Sequence, residues 1–164
     1  PHFLLACYLL YYCFIRPVEM TRLRVRDFNL KAGTVTIPAE CSKNKKKQTI
    51  TLPKKVIQYA IELGVFSAPM DDFIFSYNLR PGRYEIDPKH FRDHWDNLRK
   101  PLGLHKEWKF YSLKDTGITA MLKDKMPTIE VRDQARHSSL AITEIYTEHS
   151  EDVNPDIFNL DGAL

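Results

Sequence analysis

The sequence predicts an α+β fold, mostly helical, with one small antiparallel β-sheet or hairpin. Three observations predict it. Residues 3–15, FLLACYLLYYCFI, form an unbroken apolar run. That is far short of the ~20 residues a bilayer span needs, and it suits a helix buried on most sides. Residues 34–38 (TVTIP) and 48–52 (QTITL) alternate apolar and polar side chains around a lysine-rich connection, SKNKKK, as two paired strands do. Elsewhere, prolines at 17, 53 and 127 each stand at the head of a helix-forming stretch. At 164 residues the chain is expected to form one domain that buries its own core.

Arg16 falls at the corner between the first helix and the next, PVEMTRL. Proline disfavours helical geometry in the residue before it, and Glu19 occupies the first turn of the new helix. Asp27, Asn29 and Gly33 mark turns ahead of the first strand. After Pro53, KKVIQYAIEL is helical until Gly64 stops it. FSAPMDDFIFSYN is expected to be a loop, and NLRPGRYE a turn with two arginines, Arg80 and Arg83. DPKHFRDHWDNLRKPLG predicts a helix with Phe91, Trp95 and Leu98 on one face, ended by Pro101 and Gly103. His90 and His94 have a zinc-site spacing but no third ligand beside them, so both are assigned to the surface. Ser112 and Asp115 suggest a capping box ahead of a helix through DTGITAMLK. TIEVRDQAR forms a further short helix and delivers the stretch RHSSLAITEIYT.

Lys and Arg number 24 against 21 acids, a formal charge of +3 that is too small by itself to argue for nucleic acid. Distribution says more: Arg22, Arg24 and Arg26 alternate, while Lys43, Lys45, Lys46 and Lys47 crowd one connection. Cys7, Cys13 and Cys41 show neither even pairing nor metal-ligand spacing, and the first two belong to the apolar run as reduced core residues. No signal-peptide pattern is present, and a cytoplasmic location is expected. No acidic cluster has the spacing of a two-metal site, so no metal is assigned.

Six polar residues fall at element corners: Arg16, Lys43, Tyr111, Lys114, His137 and Tyr146. Three are cations, two can donate hydrogen bonds to an anion, and Tyr146 is a potential nucleophile if neighbours lower the cost of its phenolate. Phosphoryl transfer without a metal needs positive groups around the developing charge, which arginine and lysine supply. Taken singly, each is more readily an ordinary solvated or half-buried side chain. Their joint order is what carries weight.

On these residues the chain resembles the catalytic domain of the tyrosine recombinase (phage integrase) superfamily, especially the integrases of mobile elements. RPVEMTRLRVRDF resembles the first family box, which implies Arg16 as the first catalytic arginine and Glu19 as its supporting acid. SKNKKKQTITLP resembles the hairpin that carries the family lysine, which implies Lys43. HSSLAITEIY resembles the third box, a His-Ser-Ser with the nucleophile nine residues after the histidine, which implies His137 and Tyr146. The middle box departs, with Tyr111-Ser-Leu-Lys114 where the family usually has His-x-x-Arg. Lysine keeps the charge but loses the planar fork, and tyrosine can donate a hydrogen bond but is no acid or base near neutral pH.

The resemblance spans roughly Leu9 to Tyr146. It implies a site-specific recombinase or integrase that cleaves and rejoins DNA through a covalent 3′-phosphotyrosyl link, with no cofactor and no metal. Tyr146 would attack, Lys43 would protonate the leaving 5′-oxygen, and Arg16 and Lys114 would hold the non-bridging oxygens. Tyr111 and His137 would hydrogen-bond the phosphate or the nucleophile, and Glu19 would orient. The implied partner is double-stranded DNA, with Lys45, Lys46, Lys47, Arg80 and Arg83 as further candidate contacts. Self-association as a tetramer is expected on DNA, a monomer off it, and no membrane. The catalytic domain is placed at 1–147, its first helix starting abruptly, and 148–164 is a tail that packs in cis or in trans. A catalytically impaired DNA-binding module and a type IB topoisomerase-like nicking and resealing activity are the alternatives.

Overall fold

The computed structural model describes residues 1–42 and 45–147. The apolar run forms helix α1, His2–Cys13, which buries Leu5, Ala6, Leu9, Leu10 and Cys13. It ends on Phe14 in the left-handed region (φ 54°), where the Ile15 amide closes the turn on the Leu9 carbonyl at 3.2 Å. Three helices pack on α1: α3 (Lys54–Glu62), α4 (Lys89–Arg99) and α5 (Ser112–Lys123). Pro17 opens α2, Pro17–Met20, so Arg16 stands at the corner the sequence predicts.

The strands β1 (Phe28–Asn29), β2 (Thr34–Ile37) and β3 (Gln48–Thr51) make an antiparallel sheet in that order, with Val35 opposite Ile50. Val35, Ile37 and Ile50 all turn inward, as a period of two requires. The alternating arginines serve structure here. Arg22 pairs with Glu85, Arg26 with Asp71, and the Arg24 guanidinium lies 4.2 Å from the centre of the Phe73 ring.

The main core is joined by a smaller cluster of Phe14, Ile118, Val131 and Ala135, against which the Tyr146 ring packs. This cluster lies where the end of α1 meets α5 and α6 (Thr128–Ala135). The chain then forms α7, Leu140–Glu144, which packs on α6. Two details differ from expectation. Leu98 is exposed although Phe91 is fully buried, because the inner face of α4 turns to solvent by its last turn. Ser112 and Asp115 form no capping box: the Ser112 hydroxyl accepts the Lys109 amide instead, leaving Asp115 to a tertiary partner. No helix among the described residues is long and apolar enough to cross a membrane. The tail from 148 onward lies outside the described residues.

Candidate active site

Two left-handed corners frame the site. The first is Phe14, after which Arg16 runs extended into α2. The Arg16 amide donates to Glu19 Oε2 at 2.9 Å and its Nη1 to Oε1 at 3.1 Å. The second corner is Arg136, the residue that closes α6 at φ 58°. A side-chain-bearing residue in that conformation costs about 1–2 kcal/mol. Its buried guanidinium grips Glu19 with both terminal nitrogens, Nη1 to Oε1 at 2.8 Å and Nη2 to Oε2 at 2.6 Å. Such bidentate, charge-assisted pairs are the strong class of hydrogen bond. Breaking a buried one leaves an uncompensated charge, at a cost of about 3–5 kcal/mol.

Helix α5 contributes Tyr111 just ahead of its first turn, then Lys114 and Asp115. Lys114 is buried, its Nζ donating to the Ala135 carbonyl at 3.4 Å. His137 Nδ1 shares a 2.9 Å hydrogen bond with the buried Thr143 hydroxyl, and its ring stacks beside Tyr146 at a centroid distance of 6.2 Å. The Tyr146 hydroxyl donates to Asp115 Oδ1 at 2.9 Å. Arg16, Tyr111, Lys114, Asp115, Arg136, His137 and Tyr146 all line one open cleft of about 310 Å³, with Ser138 and Ile142 at its wall. A larger, mostly apolar depression of about 600 Å³, lined by Tyr12, Thr51, Met121 and Gln134 among others, holds none of these groups.

The cleft sets its own protonation states. Burial would raise the Glu19 carboxyl, but hydrogen bonds and charge from Arg136, then Arg16, outweigh it and hold the group below the usual range. Burial lowers His137, and the Lys114 and Arg16 charges lower it further, so the imidazole is neutral at pH 7. Tyr146 is pushed up to about 12 by burial first and then by its hydrogen bond to the Asp115 carboxylate. The phenol therefore holds its proton at neutral pH, and Asp115 is the acceptor in contact with it.

Lys114 is pushed down from the ordinary 10.5 to about 8, by burial first and then by Arg16 and Arg136. Below that value it is an ammonium, and above it an amine with no pull on an anion. Phosphate chemistry in the cleft is therefore expected to weaken as pH rises above about 8, and Lys114→Arg to remove that limb of the profile because a guanidinium stays charged. Stability runs the other way. Between about 8 and 10.5 the unfolded chain binds the proton that the folded one has shed, so folding gains as pH rises through that window. Parallel pH profiles of activity and of thermal melting check both signs.

Five of the six corner residues thus converge: Arg16, Tyr111, Lys114, His137 and Tyr146, with Glu19 directly behind Arg16. Lys43 lies outside the described residues, while Lys45, Lys46 and Lys47 are exposed on the hairpin connection beside it. Arg80 and Arg83 are exposed, and Arg80 borders a separate hollow with His2 and His94, away from the cleft. Sequence reasoning missed Asp115 and Arg136. Each is adjacent in sequence to a predicted site residue, which is the signal that was available. Among the described residues no group of three His, Cys, Asp or Glu side chains could hold a metal ion.

No curated protein sequence matches the chain significantly. A family model described as the phage integrase family matches residues 2–152. Among solved structures, XerA recombinase superposes with a TM-score of 0.69 at 20% identity, over 87% of this chain and 52% of that one. The Tn1549 transposon integrase, in complex with circular intermediate DNA, gives 0.69 at 14% identity, over 89% and 53%. XerH site-specific recombinase bound to its difH substrate gives 0.67 at 19% identity, over 90% and 43%. At such identities the likeness carries the fold, and this chain spans about half the length of the structures it matches.

Proposed function

Because the chain belongs to the phage integrase family, we propose that it is a site-specific recombinase that cleaves and rejoins double-stranded DNA through a covalent 3′-phosphotyrosyl intermediate. One observation carries the reading: side chains from the α1–α2 corner, from α5 and from the α6–α7 segment, the cations Arg16 and Lys114 and the Tyr146 phenol among them, line a single open cleft. That two of the similar structures are DNA complexes supports DNA as the substrate.

In the proposed reaction the Tyr146 oxygen attacks the scissile phosphorus and its proton passes to Asp115, 2.9 Å away. The bond to the 5′-oxygen breaks, and Lys43 protonates that leaving group. Arg16 and Lys114 neutralise the charge that develops on the non-bridging oxygens. Tyr111 donates to the phosphate, and neutral His137 hydrogen-bonds the phosphate or the nucleophile. A 5′-hydroxyl from a second strand then attacks the phosphotyrosine, giving its proton to Lys43, while Asp115 returns its proton to the leaving Tyr146 oxygen. The number of phosphodiester bonds is unchanged, so no nucleotide cofactor enters. Strand exchange needs several active sites on one DNA assembly, and a tetramer of this chain on DNA supplies them. Lys45, Lys46, Lys47, Arg80 and Arg83 are proposed contacts to the DNA backbone.

The test is a nicked suicide substrate, in which the cleaved 5′-end diffuses away and the intermediate cannot reverse. A denaturant-resistant adduct, formed with or without a chelator, supports the proposal; DNA binding with no adduct leaves only a DNA-binding module. Asp115→Asn is expected to slow adduct formation about 100-fold, the scale of losing a proton acceptor. Supplying acetate to Asp115→Gly is expected to restore part of the rate, and an undiminished rate in both variants would remove Asp115 from the role.

A further inference from the structure

Arg136 has no part in the chemistry just described, yet it occupies a place where the backbone favours glycine. What an arginine adds there is its guanidinium, and the structure shows where that goes. Nη1 and Nη2 each bond one oxygen of Glu19, and Nη2 also donates to the Phe14 carbonyl at 3.2 Å. Glu19 accepts two further bonds, from the Arg16 amide on Oε2 and from Arg16 Nη1 on Oε1. A carboxylate offers about four acceptor positions, so four donors saturate it and fix its plane. Arg136 itself is buried, while Arg16 is partly open to the cleft.

This division has a consequence for Arg16. With the Arg136 edge of Glu19 empty, the carboxylate would be free to turn and take Arg16 by both terminal nitrogens, the geometry such pairs favour. The donors that Arg16 presents to the cleft would then face its own salt bridge. Lys114 cannot replace them, because an ammonium is a point charge without a directional fork. We infer that Arg136 is a positioning residue for DNA cleavage: by filling one edge of Glu19 it keeps the free donors of Arg16 on the scissile phosphate. The inference rests on the recombinase reading above.

Single-turnover adduct formation on the nicked substrate tests it, with wild type, Arg136→Gly, Glu19→Gln and the double variant, each rate taken per folded molecule. Glycine suits the backbone at 136, so the first variant loses the guanidinium and keeps the turn. The expected result is a loss of about 100-fold in rate for Arg136→Gly, with DNA affinity changed less than about threefold. Because both residues act on Arg16 together, the double variant is expected to fall within about threefold of the slower single variant. Rates within about threefold of wild type for Arg136→Gly, or losses that multiply in the double variant, overturn the inference. Should Arg136→Gly fail to fold with Glu19 left unpaired, the double variant, which has no orphaned charge, is compared with Glu19→Gln alone. Equal rates then support the inference and a further tenfold drop, about 1.4 kcal/mol, overturns it. An adduct with wild type and an equal one with the variants removes only this inference, whereas no adduct with wild type removes the recombinase reading and this inference with it.

Discussion

Tyr146→Phe is expected to abolish the covalent adduct, a loss on the order of 10⁶-fold of the kind seen when a nucleophile is deleted. The substitution removes one oxygen, the hydroxyl that donates to Asp115 Oδ1. The ring stays packed on Phe14, Ile118 and Val131, so the fold has no reason to change. Asp115 is part-buried at the mouth of an open cleft, where water can replace the lost donor. DNA affinity is therefore expected to change by less than about twofold, since phosphate contacts from arginine and lysine dominate it. Electrophoretic mobility shift on intact DNA and denaturing gels on the nicked substrate separate the two quantities. An adduct formed at the wild-type rate by this variant would take the nucleophile's role from Tyr146.

Gly117→Ala is expected to destabilise the fold strongly, because there is no room for a methyl group at this position. Helices α1 and α5 approach so closely that a Cβ at 117 would lie 2.0 Å from the Tyr11 carbonyl oxygen and 2.9 Å from its carbon. Both are backbone atoms of a buried helix and cannot swing aside as a side-chain tip would. A third contact, with the Phe14 ring at 3.0 Å, blocks the other direction. The cost falls at or above the upper end of overpacking, about 3 kcal/mol or more. For a domain of this size that is a drop of roughly 10 °C in melting temperature. Function should suffer with it, because α1 leads to Arg16 and α5 carries Lys114, and a wedge between them opens the cleft. Thermal melting followed by circular dichroism measures the first effect, and adduct formation at 20 °C below the new midpoint the second. A melting temperature within about 1 °C of wild type would mean that the two helices have slack between them.

Local features were legible in the sequence. The apolar run became α1, Pro17 put Arg16 on a corner, and TVTI and QTIT paired in register, each because neighbouring residues alone decide those outcomes. The nine-residue spacing of His137 and Tyr146 likewise survived as a turn and a short helix. What stayed hidden depended on closure over long separations. Arg136 finds its partner 117 residues upstream, and nothing local marks an arginine that ends a helix as buried or left-handed. Asp115 follows Ser112 by three, the spacing of a cap, and only the folded chain shows Ser112 turned to Lys109 and the carboxylate turned to Tyr146. The departure at Lys114 reads differently in three dimensions too: the lysine is buried between two arginines, so its charge is conditional on pH where an arginine's is not.

The proposed reaction depends on one tyrosine oxygen reaching one phosphorus. Mass spectrometry of the protein trapped on a nicked suicide substrate, after nuclease and protease digestion, locates that bond directly. The predicted product is the peptide containing Tyr146 carrying a nucleotide through a 3′-phosphate. Phosphate on Tyr111 or any other residue, or a 5′-linkage at Tyr146, would contradict it.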